Sequence, residues 1–329
     1  MGLAPIERLP VELLQQIFVQ ADYNLALLQA SPYIASRLSS GYIYNATCNH
    51  YLTEVHGQRA QQSAAQTQIF ASKWMTWDFF QSWCIRRFET AGCLCDHTPE
   101  DGCFDAQWPP NFNDATTMIF SRSHLPRLSF VKGRIPKKLL RGPWSQEKIE
   151  FLRFLLWITS MSVDWNDPET AKIAVEGRRQ AILKRKLEAV ELFNHNRRLG
   201  KPPSLDTLCF AVTEAGCDRS IVFDTLLTTN IWSNKKRARY SETLHQWCDT
   251  QMEADNPKGL WLFQKLEESR IFRNRKEEIG GREACLYLEF GNYDGGPQDQ
   301  LIVNDLEWNK VCRVFTFLEM KLSVSFLAE

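Results

Sequence analysis

The chain has 329 residues, in which 39 lysines and arginines balance 39 aspartates and glutamates. A net charge of zero at neutral pH argues against a protein built mainly to hold the phosphate backbone of a nucleic acid. With 44% hydrophobic and 24% charged residues, the composition is globular, and the length suits one large domain or two to three small ones.

Three further features bear on where the protein resides. The N-terminal residues Met-Gly-Leu-Ala-Pro show no basic region followed by an apolar run, so we expect no signal peptide. The most apolar segment, residues 151–163, is interrupted by Arg153 and is shorter than the roughly 20 residues of a membrane span. Ten cysteines without a secretory signal indicate reduced thiols. We therefore expect a cytoplasmic or nuclear protein, or both, with neither a membrane nor a nucleic acid as partner.

The first predicted element is an amphipathic helix in IERLPVELLQQIFVQA, residues 6–21. Pro10 suits the first turn, where its missing N–H has no intrahelical partner, and Glu12 lies where a carboxylate favours the helix dipole. Spacings of one, four and five residues place four apolar side chains on one face, namely Leu13, Leu14, Ile17 and Phe18. After a turn at residues 22–24, a second apolar helix is predicted from Leu25 and a third element from Ser31.

The start of this segment resembles an F-box, whose usual form is Leu-Pro-x-Glu-Leu-Leu-x-x-Ile-Phe. The matching residues are Leu9, Pro10, Glu12, Leu13, Leu14, Ile17 and Phe18. The second half, NLALLQASPYIASRL, departs from the family, because Ser31, Pro32 and Tyr33 stand where a small, a basic and an aromatic residue are usual. The basic residue is missing and the loop is shortened. The resemblance covers about residues 7–44.

The resemblance implies a three-helix module that docks on the Skp-family linker of a cullin–RING ubiquitin ligase. It places the linker interface at Leu9, Pro10, Leu13, Leu14, Ile17 and Phe18. The physics agrees, because a helix that is apolar on one face, in a unit too small to bury that face, requires a partner groove. The alternative is that the helix packs on the rest of this same chain.

Residues 46–143 form an aromatic and cysteine-rich connecting region. Its first part, residues 46–70, is rich in Gln and Ala, and composition does not decide between a helix and a linker. Residues 73–88, KWMTWDFFQSWCIRRF, predict a helix with an aromatic stripe. The proline-broken segment 108–144 predicts an extended connection held in place by its aromatic side chains.

The same region contains a cluster of potential metal ligands in GCLCDHTPEDGC, residues 92–103. Zinc takes four thiolate or imidazole ligands tetrahedrally, and the candidates are Cys93, Cys95, His97 and Cys103. The spacing lacks the Cys-x-x-Cys rhythm of strong zinc sites. A turn-rich loop with free thiols is the alternative.

Between residues 144 and 232 apolar helices recur at a regular spacing. The predicted helix ends at Leu156, Leu192 and Leu226 lie 36 and 34 residues apart, which suggests degenerate ankyrin-like repeats of two short helices each. Small residues, Ala181 and Ala211, stand where paired helices touch. The Thr-Pro-Leu-His turn of ankyrin repeats is missing, so a generic helical bundle is the alternative.

Residues 233–329 form a small mixed C-terminal extension. The basic run NKKRARY, residues 234–240, predicts a solvated helix face, with a nuclear-import address as the alternative. Residues 284–296 and 299–308 predict short strands around an Asp-Gly-Gly turn, and residues 308–327 are ambiguous between strand and helix.

The sequence thus predicts a mainly α protein of four parts, which are an F-box-like module (1–45), the connecting region (46–143), ankyrin-like repeats (144–232) and the extension (233–329). The P-loop, G-x-S-x-G, HExxH and G-x-G-x-x-G motifs are missing, so we expect neither an enzyme nor a cofactor. We expect a substrate-recognition adaptor of an SCF-type ubiquitin ligase, in which the module binds the Skp-family linker and cullin complex and the repeats bind an unknown protein substrate. The alternatives are a repeat scaffold without a ligase role and a zinc-binding module at the cysteine cluster.

Overall fold

The expectation of a mainly α protein is confirmed by the computed structural model, which describes residues 4–55, 58–89, 108–118, 120, 126–232 and 241–279. In these ranges no β-strand forms, and isolated bridges join Leu128 to Thr159 and Arg134 to Ser162. Short 3-10 segments occur at Pro5–Arg8, Ala115–Thr117 and Lys137–Leu139. The helices are Val11–Gln20 (α1), Ala26–Ala30 (α2), Pro32–Arg37 (α3), Gly41–Thr53 (α4), Arg59–Ala71 (α5), Trp77–Phe88 (α6), Gln146–Ile158 (α7), Pro168–Leu183 (α8), Leu187–His195 (α9), Leu205–Thr213 (α10), Arg219–Trp232 (α11), Glu242–Glu253 (α12) and Pro257–Ile279 (α13).

The chain forms two compact units. Of the described residues, the first unit contains 4–55, 58–89, 108–118, 126–140 and 146–171, and the second contains 120, 141–145, 172–232 and 241–279. The predicted start of the repeats at residue 144 falls in the short segment that belongs to the second unit, whereas α7 belongs to the first. Within the described ranges, no helix is both long and apolar enough to cross a membrane.

The Gln- and Ala-rich stretch of the connecting region is helical, in α4 and α5. Gln62 and Gln66 of α5 are buried, and their side-chain amides donate to the carbonyl oxygen of Tyr51, each at 3.2 Å. Gln62 also donates to the carbonyl of Glu54 at 2.7 Å, and Gln66 accepts from the backbone N–H of Lys132 at 3.0 Å. The polar residues that resemble a linker in the sequence therefore serve as buried hydrogen-bonding groups.

Aromatic side chains fill the core of the first unit around α6 and α7. Phe80 and Phe154 meet edge to face, with ring centroids 5.5 Å apart, and Trp108 stacks on Trp157 at 6.2 Å. Trp108 precedes the extended connection and is buried, so the expectation that aromatic residues hold this segment in place agrees with the packing. The aromatic stripe helix begins at Trp77, three residues later than the first tryptophan of its segment.

The first of the predicted repeat segments, residues 146–165, contains one helix rather than a pair. Residues 151–158 of α7 are buried, except for Arg153, which is half-buried. The chain after α7 is extended and exchanges hydrogen bonds with residues 128–135, as between the N–H of Ile135 and the carbonyl of Ser162 at 3.0 Å. A helical segment that is apolar on nearly all sides requires neighbours on nearly all sides, so residues 151–158 of α7 lie in the core, while its first two residues are polar and exposed.

The second unit contains three successive helix pairs, α8–α9, α10–α11 and α12–α13. Each turn contains a non-glycine residue in the left-handed region, at Arg185, Cys217 and Asp255, and each of these lies two residues before the second helix of its pair. The last pair was not predicted, because α12–α13 falls in the stretch interpreted as an extension. The left-handed residue thus occupies the same position in all three turns.

In the second unit, helices of successive pairs pack on one another. Helix α9 packs on α11, α11 on α13, and α10 on both α11 and α12. Trp144 lies against the first pair, since its indole N–H donates to the carbonyl of Gly177 at 3.0 Å and its ring meets Phe193 edge-on at 5.6 Å. Helix α11 is buried on every side from Arg219 to Thr229. It is the central helix of this unit.

Candidate docking surface

The N-terminal module contains α1 to α4, and serine side chains cap two of these helices. Helix α1 begins at Val11, one residue after Pro10, whose carbonyl accepts the N–H of Leu14 at 3.1 Å. Ser31 caps α3 and Ser40 caps α4, each through its side-chain oxygen. The predicted third element is thus two helices, and α4 continues beyond the predicted module end at residue 45.

Helix α1 has an inner and an outer apolar edge, and the six predicted interface residues divide between them. Leu14 and Phe18 are completely buried and belong to the core of the module. Leu13 is 45% exposed, Pro10 is exposed, and Leu9 and Ile17 are half-buried. The motif brings all six to α1 and the two residues before it, but it does not bring them to one surface. The outer edge is defined here as Leu9, Pro10, Leu13 and Ile17.

The turn after α1 fixes the direction in which this helix ends. Asp22 and Tyr23 both have left-handed backbone, with φ values of 56° and 54°, a conformation that side chains disfavour. The hydroxyl of Tyr51 in α4 donates to the carbonyl of Tyr23 at 3.2 Å. The His50 ring stacks on Tyr23 at 4.8 Å, and its Nε2 lies 3.5 Å from the carboxylate of Asp22. These contacts hold α1 against α4 and keep the outer edge in a defined position.

The predicted zinc ligands Cys93, Cys95, His97 and Cys103 lie outside the described residues. Among the described residues, no group of three or more His, Cys, Asp or Glu side chains has an arrangement that could hold a metal ion. Cys84, which precedes the cluster in the sequence, is buried in α6, and burial raises the pKa of its thiol well above the usual range.

A buried polar cluster joins α9 and α11 in the second unit. Asp224 accepts hydrogen bonds from the Asn194 amide at 2.8 Å and from His195 Nε2 at 2.6 Å. The hydroxyl of Thr228 lies 3.4 Å from that same nitrogen and donates to the backbone carbonyl of Asp224 at 2.7 Å. A catalytic triad uses the two opposite nitrogens of the imidazole for its acid and its hydroxyl. This cluster therefore links two helices and is not arranged as a triad.

Sequence patterns did not identify this cluster, because its members lie about 30 residues apart on two helices and follow no local motif. The repeat spacing is the one signal that relates them. In comparisons with known proteins, no family model, no curated protein and no solved structure matches this chain.

Proposed function

We propose that this protein is a substrate-recognition adaptor of an SCF-type cullin–RING ubiquitin ligase. In this proposal the outer edge of α1 docks on the Skp-family linker, and the helix pairs of the second unit hold a protein substrate. The observation that carries it is the division of the F-box-like motif between two edges of α1. Leu14 and Phe18 stabilise the module from inside, while Leu13 and Pro10 are exposed and Leu9 and Ile17 are half-buried.

The composition of the outer edge supports a protein partner. An open leucine beside an exposed proline offers apolar area, while Glu12 and Gln16 around them are exposed and polar. Apolar anchors surrounded by polar residues are typical of helix-in-groove recognition. The surface contains no side chain that would act as a nucleophile, which fits a docking role.

The second unit suits the role of substrate receptor. Stacked helix pairs of the ankyrin-like kind present long surfaces to protein ligands and need no reaction chemistry. The equivalent turns at Arg185, Cys217 and Asp255 support this interpretation of α8–α13. The adaptor would act by proximity, because it raises the effective concentration of its substrate near the ubiquitin-loaded enzyme.

The decisive experiment measures binding of the full-length protein to a purified Skp-family linker. We expect the double variant Leu13→Ala with Ile17→Ala to lose roughly 100-fold in affinity, because truncation of central apolar anchors costs about 2 kcal/mol or more. Tyr42→Ala is the matched control, since Tyr42 is 68% exposed in α4 of the same module and lies outside the motif. Circular dichroism of each variant establishes that it is folded.

The competing function is a repeat scaffold without a ligase role. It is favoured by one specific observation, which is the burial of Leu14 and Phe18 within the chain itself. Failure of the wild-type protein to bind any Skp-family linker, or normal binding by the double variant, would support the scaffold and refute the adaptor. The zinc-module alternative is tested separately by elemental analysis of the purified protein, and a zinc-free protein excludes it.

A further inference from the structure

Ser31 combines an unusual sequence context with an accessible position. Of the 14 prolines in the chain, Pro32 is the one that follows a serine, and Pro99 is the one that follows a threonine. Ser31 has extended backbone, with φ −156° and ψ 134°, and connects α2 to α3. Its side chain is half-buried, whereas Gln29, Ala30 and Pro32 are exposed. Ser31 itself is extended and Pro32 begins α3, so this serine lies at the edge of a helix beside exposed residues, where a protein kinase can reach it.

The hydroxyl of Ser31 ties the start of the chain to α3. It donates to one carboxylate oxygen of Glu7, and the other oxygen of Glu7 accepts the N–H of Ala4 at 2.7 Å. The same Ser31 oxygen accepts the N–H of Tyr33 at 3.2 Å, which caps α3. Glu7 lies in the 3-10 segment Pro5–Arg8, directly before Leu9 and Pro10. One hydroxyl therefore connects α3 to the segment that leads into the outer edge of α1.

We propose that Ser31 is a phosphorylation site for a proline-directed protein kinase, and that its phosphorylation releases the segment Pro5–Arg8 from α3. In this step ATP supplies the γ-phosphoryl group. A bond forms between phosphorus and the Ser31 oxygen, the bond to the β-phosphate oxygen breaks, ADP leaves, and the hydroxyl proton passes to the kinase base.

Release follows from the change of charge and of hydrogen-bonding capacity at one atom. The Ser31 hydroxyl now donates to the carboxylate of Glu7, which is ionised at neutral pH as glutamates ordinarily are, and this hydrogen bond lowers the pKa of the Glu7 carboxyl further. A phosphoserine carries about −1.5 to −2 charges and offers acceptor oxygens in place of the donor. The attraction between Ser31 and Glu7 thus becomes repulsion.

Helix α3 is expected to survive the modification. The phosphate oxygens can still accept the N–H of Tyr33, and a negative group is favourable at a helix N-terminus. The guanidinium of Arg37, on the next turn of α3, is held by the hydroxyl of Tyr33 at 2.8 Å. The effect is therefore confined to the link between α3 and the residues before α1.

Weaker docking of the linker is the expected consequence, and this last step rests on the proposed function. Leu9 and Pro10 belong to the outer edge, and they follow the released segment without a break. Phosphorylation and release themselves do not depend on any partner. The test below uses the protein without a linker, so its failure is distinguishable from failure of the adaptor proposal.

The experiment treats the full-length protein with a purified proline-directed kinase and ATP, and localises phosphate by mass spectrometry. We expect Ser31 to be modified, and to be modified at least about tenfold more slowly in Pro32→Ala, which removes the recognition residue at an exposed position. Absence of phosphate at Ser31 of the folded protein, or an equal rate in Pro32→Ala, would overturn the assignment.

Hydrogen–deuterium exchange then measures the release. Amide exchange of residues 6–9, which include the hydrogen-bonded N–H groups of Glu7 and Leu9, should rise by about tenfold on phosphorylation, since the charge-assisted bond is lost, while exchange in α4 stays unchanged. Glu7→Gln is the matched variant, because it keeps an acceptor oxygen but carries no charge, and its increase should be smaller. Unchanged exchange in the phosphorylated wild type, or an equal increase in Glu7→Gln, refutes the release by repulsion.

Discussion

Lys138 is a half-buried cation that binds two backbone carbonyls, those of Ser72 and Met75, the latter at 3.0 Å. Burial lowers the pKa of Lys138 to about 8, well below the value of about 10.4 in an unfolded chain. Between these two values the unfolded chain binds more protons, so folding stability rises with pH from about 8 to about 10. Below about pH 8 both states are protonated and the stability contributed by Lys138 does not change with pH.

Replacement of Lys138 by methionine removes this titration. We expect wild type to gain stability relative to Lys138→Met between about pH 7 and about pH 9.5, as measured by urea unfolding at both values. Lys132→Met, at an exposed position of the same connection, serves as control and should show a smaller pH dependence relative to wild type. An equal pH dependence for the two substitutions would contradict the effect of burial.

Asp224 anchors the polar cluster between α9 and α11, and its side chain is 2% exposed. Asp224→Ala leaves the amide of Asn194 and the imidazole of His195 buried without their acceptor. We expect a loss of about 1–3 kcal/mol in the free energy of unfolding, because removing a buried acceptor leaves its hydrogen-bond donors unsatisfied. Asp206→Ala, at an exposed position in α10, should cost less than about 1 kcal/mol. Comparable urea midpoints for the two variants would show that the cluster does not stabilise the fold.

At the scale of elements, the approach of α13 to α12 depends on a glycine. A Cβ added at Gly259 would lie 2.8 Å from the carbonyl oxygen of Cys248 and 2.8 Å from the backbone nitrogen of Met252. Both atoms belong to the backbone of α12, so they cannot move aside as the end of a flexible side chain could. The closeness of this helix pair therefore requires the absence of a side chain at position 259.

Gly259→Ala should consequently destabilise the second unit by about 1–3 kcal/mol, the usual cost of overpacking. Gly41→Ala is the matched substitution, because a Cβ there meets no atom within 4 Å at the start of α4. It should be neutral or stabilise by up to about 1 kcal/mol, since alanine favours the helix. Thermal unfolding of the two variants makes the comparison, and a Gly259→Ala protein as stable as wild type would refute the close contact.

Helical periodicity predicted those elements in which one face is apolar. Helix α1 and helix α6 were predicted on this basis, and their inward residues, such as Phe18 and Phe80, are buried. Periodicity failed for α5, because its buried residues include Gln62 and Gln66. Since these two side chains are polar, the buried face of α5 does not appear as an apolar stripe in the sequence. It failed again for α7, because the apolar run at residues 151–158 is compatible with a repeat helix or a core helix until its neighbours are known.

The sequence predicted which helix carries the candidate site, but it did not predict which residues of that helix are exposed. Leu13 and Leu14 are chemically identical and adjacent, and the motif includes both, yet one is 45% exposed and the other is completely buried. The difference arises from the packing of α1 on α3, which the local sequence does not encode. The tie from Ser31 to Glu7 joins residues 24 positions apart and likewise had no local signal.

For the molecule as a whole, each of the two units is organised around one helix that is buried on nearly every side. In the first unit this is α7, whose residues 151–158 are apolar except for Arg153, and in the second it is α11, which carries Asp224 and several threonines on its inner surface. A central helix that contacts most of its neighbours makes the loss of any one neighbour costly. Each unit should therefore unfold as one cooperative body.

Buried cysteines allow a test of this cooperativity. Cys48 and Cys84 are buried in the first unit, and Cys217 and Cys248 in the second. Burial raises the pKa of all four thiols, to about 12 for Cys217 and to about 11 for Cys248. Because the thiolate is the nucleophile, these four should resist iodoacetamide at about pH 8 until their unit opens, whereas the half-buried Cys209 should react in the native protein.

Pulse labelling across a urea series, read out by mass spectrometry, reports the opening of each thiol. The two cysteines of a unit should become reactive at one common urea concentration, because both are released by the same cooperative event. Exposure of Cys48 at a clearly lower urea concentration than Cys84 would mean that α4 separates from α6 before the core of the first unit opens. In that case the N-terminal module would unfold independently of the rest of the first unit, and the outer edge of α1 would belong to a module that folds by itself.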